Sequence, residues 1–251
     1  MNQFRSSPFL SLPPVVKNLL LINLAMFLLL VLADAIYQVD LNWILGLHYP
    51  GSEAFRPYQL ITHMFMHGGL GHIFFNMFAL YMFGNVLEQV WGGKRFLTYY
   101  LVTGFGAALL HMLVAHIQIQ SLLNDMPAST LETVKTDGME ALKIGKNYID
   151  AKMGTLNAAF NAPTVGASGA VFGLLLAFGW LFPNAQLMLI FPPIPIRAKY
   201  FVIGYGAIEL FLGFSQPGSN VAHFAHIGGM LFGIIFILLW KRNQFNQNRW
   251  N

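Results

Sequence analysis

Three short stretches hold the residues able to do chemistry in an otherwise apolar chain. The stretch "TVGASGAVFG" (164–173) sets Ser168 among Gly166, Gly169 and Gly173 at the start of an apolar run. "HFAHIGGMLFG" (223–233) carries His226, Gly229 and Gly233, which share one helical face. In "HMFMHGGLGHIFFNMF" (63–78), His72 and Asn76 are four apart, about 40° from each other around a helix. A serine beside a histidine, with hydrogen-bond donors converging on them, is the arrangement for nucleophilic acyl transfer. Ser168 falls in the first turn of its helix, where unpaired backbone N–H groups and the helix dipole favour a developing oxyanion. Gly166 and Gly169 let another backbone come close.

Each signal alone is weak. Small residues four apart join many inert helix pairs, and a membrane histidine or asparagine often only bonds across helices. Two small-residue faces, Gly169/Gly173 and Gly229/Gly233, nevertheless invite their two segments to touch and bring Ser168 to His226. A metal centre built from His63, His67, His72, His223 and His226 is the rival chemistry. His63 and His67 lie on the far side of a continuous helix from His72, and Gly68, Gly69 and Gly71 predict a break there. There is no HExxH pattern, and no carboxylate sits in sequence among these histidines, so no metal is assigned. The absence of cysteine excludes disulfides, thiolate ligands and a cysteine nucleophile. No cofactor is called for.

These residues must be positioned by membrane helices. Of 251 residues, 56% are hydrophobic and 10% charged, against about 25% charged in a soluble domain. Six apolar segments stand out at 18–36, 72–90, 96–116, 167–183, 200–214 and 223–240. A spanning helix needs about 20 residues, so the fourth and fifth are short and imply a wet cavity beside them. Arg5, Lys17, Lys94, Arg95, Arg197, Lys199, Lys241, Arg242 and Arg249 would share the side of both termini, which the positive-inside rule makes cytoplasmic. The first segment ends in "ADA" (33–35), which resembles a signal-peptidase site, but its length reads as a retained span. The organisation is an N-terminal tail (1–16), a six-span domain (17–240) and a C-terminal tail (241–251). A polar insertion at 117–163 is expected to form one or two surface helices from Leu131, Val134, Met139, Leu142, Ile144 and Tyr148. The net charge of +4 comes with no basic run interleaved with aromatics, so the partner is a lipid bilayer and not nucleic acid.

Taken together, "FRPYQLITHMFMHGGLGHIFFNMFALYMFGNVLE" (55–88), "GASGAVFG" (166–173) and "AHIGGMLFG" (225–233) resemble the rhomboid intramembrane serine proteases, in motif and in order. The resemblance implies an all-α membrane protein, a six-helix rhomboid bundle whose short central helix starts at the catalytic serine. It implies Ser168 as nucleophile and His226 as general base, a dyad without a carboxylate. His72, Asn76 and the Ser168 N–H would form the oxyanion hole. Gly166 would shape the loop by the serine, Phe172 would pack on His226, and Glu88 would brace the side of the termini. The fifth segment would be the mobile helix at the substrate entrance. The implied partners are transmembrane protein substrates, cleaved in or near their spans, and the implied home is a bacterial inner membrane. The alternative is a non-catalytic relative that binds membrane clients, but such proteins lose the serine or the histidine. A lone His226 predicts activity falling as pH drops through about 6.5. Tyr58-Gln59 stands where some relatives have Trp-Arg, the insertion exceeds the compact core, and Glu209 is divided between helix packing and gating.

Overall fold

The computed structural model describes residues 12–188, 193–216 and 221–247; Arg5, Arg249 and the outer parts of both tails lie outside them. Helix α1 (Pro14–Tyr37) starts three residues before the expected tail boundary, with a proline at its first position, where the missing N–H costs nothing. Its next two N–H groups are taken by one distant carboxylate. Glu88 Oε1 accepts from Val15 at 3.0 Å and Oε2 from Val16 at 2.7 Å. Leu21, Leu24 and Leu28 stay about half exposed along α1, a surface that suits lipid and not water.

A connector follows with α2 (Leu41–Leu45), α3 (Gln59–Thr62) and a 3₁₀ turn at His63–Phe65. The glycine-rich step after Met66 breaks the helix, as the sequence predicts. Helix α4 (Leu70–Ala79), a π turn (Leu80–Gly84) and α5 (Asn85–Trp91) then form one continuous rod. Helix α6 (Gly93–Asn124) has 32 residues, about 48 Å of rise against a hydrocarbon layer of about 30 Å. Its excess length carries the insertion, which is more than a pair of surface helices. Helices α7 (Ala128–Thr133), α8 (Met139–Lys143) and α9 (Ala151–Asn161), with a π turn at Val134–Gly138, fold over their own apolar cluster of Ile119, Val134, Leu156 and Phe160. Leu131 and Tyr148 pack against that cluster, while Ile144 faces outward.

Helix α10 (Ser168–Leu181) is short and almost wholly buried. A ribbon of β1 (Gln186–Met188) and β2 (Pro195–Arg197), paired Leu187 to Ile196, leads into α11 (Ala198–Ser215) and then α12 (His223–Gln247). Every expected apolar segment is helical. Among the described residues, four helices are long and apolar enough to cross a membrane: α1, the Leu70–Trp91 rod, α6 and α12. The fold is thus a helical membrane fold whose main core lies where α6, α10 and α12 meet, around Phe96, Tyr99 and Tyr100.

The glycines explain that closeness. A Cβ on Gly229 would overlap the Gly169 carbonyl, so α12 rests directly on the α10 backbone. The missing side chains of Gly169 and Gly173, however, make room for Ala107 and Thr103 of α6, and Gly233 makes room for the Tyr99 hydroxyl. Tyr99 then donates to the Gly173 carbonyl at 2.9 Å. The two glycine stripes thus meet directly at Gly229 and Gly169, as the spacing suggests, while Gly169, Gly173 and Gly233 also clear a path for α6.

Candidate active site

Ser168 reaches its place because the chain before it is pinned on both sides. Leu47 and Thr164 exchange backbone hydrogen bonds at 2.9 and 2.8 Å, and the Gly166 N–H donates to the His63 carbonyl at 2.9 Å. Gly166 has φ +128°, a left-handed conformation that favours glycine, and a Cβ there would come within 2.8 Å of His72 Nε2. The turn ends at Ala167, whose side chain caps nothing. The first N–H groups of α10 therefore lack a side-chain partner.

His226 is delivered from the opposite side by the Gly229–Gly169 contact. Its Nε2 lies 2.9 Å from Ser168 Oγ. Phe172 lies against the imidazole face, ring centroids 4.1 Å apart and planes 6° from parallel, which fixes the ring's rotation. The Nδ1 atom lies 2.9 Å from Glu209 Oε2 on α11. An ionised carboxylate only accepts, so Nδ1 carries the proton and Nε2 offers its lone pair to the serine hydroxyl. The expectation of a histidine without a carboxylate is thereby corrected. His223 Nδ1 meets the same oxygen at 2.7 Å. Glu209, 5% exposed, is thus held by two histidines from one turn of α12. The sequence did contain the signal: a single acid in an apolar helix, and two histidines three apart on one face.

His72 and Asn76 both line the cavity that holds Ser168. Gly68 N–H donates to His72 Nδ1 at 3.3 Å, which leaves the ring proton on Nε2, the atom turned toward Gly166. Asn76 Nδ2 donates to the His72 carbonyl at 3.0 Å within its own helix. His63 and His67 do not join them. His63 Nδ1 bonds the Gln59 carbonyl at 2.8 Å. His67 is buried with neither ring nitrogen hydrogen-bonded, and its ring meets His72 edge-on at 5.1 Å. Glu88, bound to the start of α1, is remote from this group in every contact it makes.

The cavity has a volume of about 1860 Å³ and runs from Ser168 and His226 between α4 and α11, and upward to α9 of the insertion. Single small-molecule pockets hold about 300–1,000 Å³, so this space is larger than one such pocket.

Comparison with known proteins agrees with this architecture. The model of the rhomboid domain matches residues 54–122 and 139–243, passing over part of the insertion. RHOMBOID-like protein 12, mitochondrial, of Arabidopsis thaliana is 25% identical over 91% of this chain and 58% of its own length. Rhomboid-like protein 11, chloroplastic, of the same plant is 29% identical over 90% of this chain and 65% of its own. Rhomboid protease GluP of Bacillus subtilis is 24% identical over 70% of this chain and 24% of its own. The chain therefore spans less than two thirds of these relatives. The mitochondrial and chloroplastic relatives overturn the bacterial inner membrane assigned from the sequence; the multi-pass character stands.

Proposed function

The chain belongs to the rhomboid family, and from the geometry of its site we propose that it is an intramembrane serine endopeptidase acting on the spans of other membrane proteins. The observation that carries the reading is the 2.9 Å contact between Ser168 Oγ and His226 Nε2 inside an apolar bundle. A polar pair of this kind in a membrane is costly without a function. The relatives support protease chemistry at the level of the family, one of them bearing the word in its name. Their names also favour an organellar membrane.

The mechanism follows from the hydrogen bonds. His226 Nε2 takes the Ser168 proton as Oγ attacks the scissile carbonyl carbon. Glu209 steadies the imidazolium through Nδ1–H and holds the productive tautomer; it is a positioning residue, since it touches no reacting atom. The oxyanion is received by the Ser168 N–H, the His72 Nε2–H and the second N–H of the Asn76 amide. His226 then gives its proton to the leaving amine. Water entering the cavity repeats the cycle on the acyl-serine and releases the acid. A substrate helix hides its carbonyls, so the cleaved bond lies near small or helix-breaking residues. Helices α10 and α11 complete a six-helix bundle with the four longer spans, α10 placed centrally with Ser168 at its start. Helix α11 stands at the substrate entrance.

The test is cleavage of a membrane-embedded substrate panel by the tag-free chain in proteoliposomes, with the cut site read by mass spectrometry. Wild type cuts. Ser168→Ala and His226→Ala fall by about 10⁴-fold or more while their thermal unfolding is unchanged. Cutting that persists in Ser168→Ala contradicts the proposal.

A further inference from the structure

Glu209, His223 and His226 gather three side chains able to bind a metal ion around one point. One carboxylate oxygen of Glu209 and one nitrogen of each histidine all lie within 4.8 Å of one another. One turn of α12 presents both rings to α11, and Glu209 supplies the carboxylate that the sequence did not place among the histidines. All three side chains are buried, yet both histidines line the cavity, so a small hydrated ion has a route to them. His223 Nε2 is buried and has no hydrogen-bond partner, which frees that atom to hold a proton.

We infer that this cluster is an inhibitory site for a divalent transition-metal ion, with Zn²⁺ the best fit. The inference rests on the reading of Ser168 and His226 given above. Two imidazoles and one carboxylate form a recurrent zinc donor set that leaves a fourth position for water, whereas Mg²⁺ prefers oxygens alone. A tetrahedral zinc holds its donors about 3.3 Å apart. The present contacts are 2.7 and 2.9 Å, so a small opening between α11 and α12 admits the ion.

The consequence is a change of tautomer. Zinc takes the Nδ1 lone pair of each ring, and each ring's proton moves to Nε2; none is consumed or released. For His223 the proton lands on a nitrogen that is unpartnered in the protein. For His226 it lands on the atom that faces Ser168 Oγ. That nitrogen then donates and cannot accept, so the serine keeps its proton. The ion silences the base without touching the nucleophile.

The experiment uses the tag-free full chain in detergent micelles and Zn²⁺ buffered by chelator. Calorimetry on Ser168→Ala measures binding with no dependence on activity. One zinc per chain is expected, with affinity at least about tenfold weaker when His223→Asn or Glu209→Gln is added. The asparagine still donates to Glu209 but is a poor zinc ligand. In the otherwise wild-type chain, zinc abolishes cleavage, chelator restores it, and Mg²⁺ at the same concentration does neither. His223→Asn raises the half-inhibiting zinc concentration at least about tenfold, each chain normalised to its own metal-free rate. Absence of binding overturns the inference, as does binding or inhibition that survives His223→Asn. Stoichiometric binding lost in His223→Asn, in a chain that cleaves nothing, overturns the inhibitory role together with the protease reading and leaves the metal site.

Discussion

The insertion and the α10–α12 junction both bury polar side chains, but they treat them in opposite ways. In the insertion the network is closed. Asn161 Nδ2 donates to the Val134 carbonyl and to Asn157 Oδ1, at 2.7 and 2.9 Å; Asn157 Nδ2 donates to the Gly138 carbonyl and to Asn147 Oδ1, at 3.0 and 2.9 Å. Such a network spends its bonding capacity on holding helices together. At the junction the chain of bonds is open. It runs from His223 through Glu209 and His226 to Ser168 and ends at a cavity, with His223 Nε2 left unpaired. An unpaired buried polar atom costs about 1–3 kcal/mol. The junction carries that cost at His223 Nε2, one turn from the proposed base; the asparagine network of the insertion carries none. The closed network thus holds the insertion together, and the open one lies at the proposed site.

Substitutions at the two networks should have different consequences. The largest effect is expected from Gly229→Ala, whose added Cβ overlaps the Gly169 carbonyl and pushes α12 off α10. A displacement of about 1 Å between nucleophile and base costs on the order of 10²-fold in rate, which steady-state cleavage would register. Glu209→Gln comes next. It keeps the volume but removes the charge beside the His226 Nδ1–H, and kcat is expected to fall roughly 10- to 100-fold with KM unchanged. A purely structural Glu209 would lower the yield of folded protein without that split.

Opening the closed network should do the reverse. Asn161→Ala removes donors to Val134 and Asn157, and a loss of about 1–3 kcal/mol is expected in the unfolding of the insertion. The rate of serine labelling should stay within about threefold of wild type, because none of the bonds at the junction involves Asn161. The smallest effect is a pH dependence. His48, fully buried, sits between the carbonyls of Asn161 at 2.9 Å and Trp43 at 2.7 Å. Burial holds it below the usual histidine value, with those two carbonyls working against the shift. The folded form thus favours the neutral ring, while the unfolded chain takes up protons below about 6.5. The insertion's stability is present above that pH and is lost as pH falls below it. Amide protection factors over 153–161 should be lower at about pH 5 than at about pH 7.5, and His48→Gln should remove the difference.

How much of this was legible depended on whether a signal was local. The helix break after Met66, the start of α10 at Ser168 and the approach of His226 to Ser168 follow from glycines and polar residues visible within single stretches. Glu209 was conspicuous as an acid in an apolar helix, but its partners lie on another helix, and spacing along one helix cannot name them. The glycine stripes were legible as sites of close approach and do meet at Gly229 and Gly169, yet a bare face does not say which other neighbour fills it, and side chains of α6 occupy much of the rest. The insertion was read from apolar spacing as surface helices. Its fold is held as much by Asn157 and Asn161, and polar residues at helical spacing look the same whether they face solvent or each other.

In the proposed mechanism the open chain of hydrogen bonds activates Ser168. The most direct test of that activation is labelling of the detergent-solubilised protein with a fluorophosphonate probe, which reports an activated serine without requiring a known substrate. The account predicts labelling of the wild type at Ser168, loss in Ser168→Ala and His226→Ala, and slowed labelling in Glu209→Gln. A folded wild type that takes up no probe, or that labels equally well without His226, would contradict it.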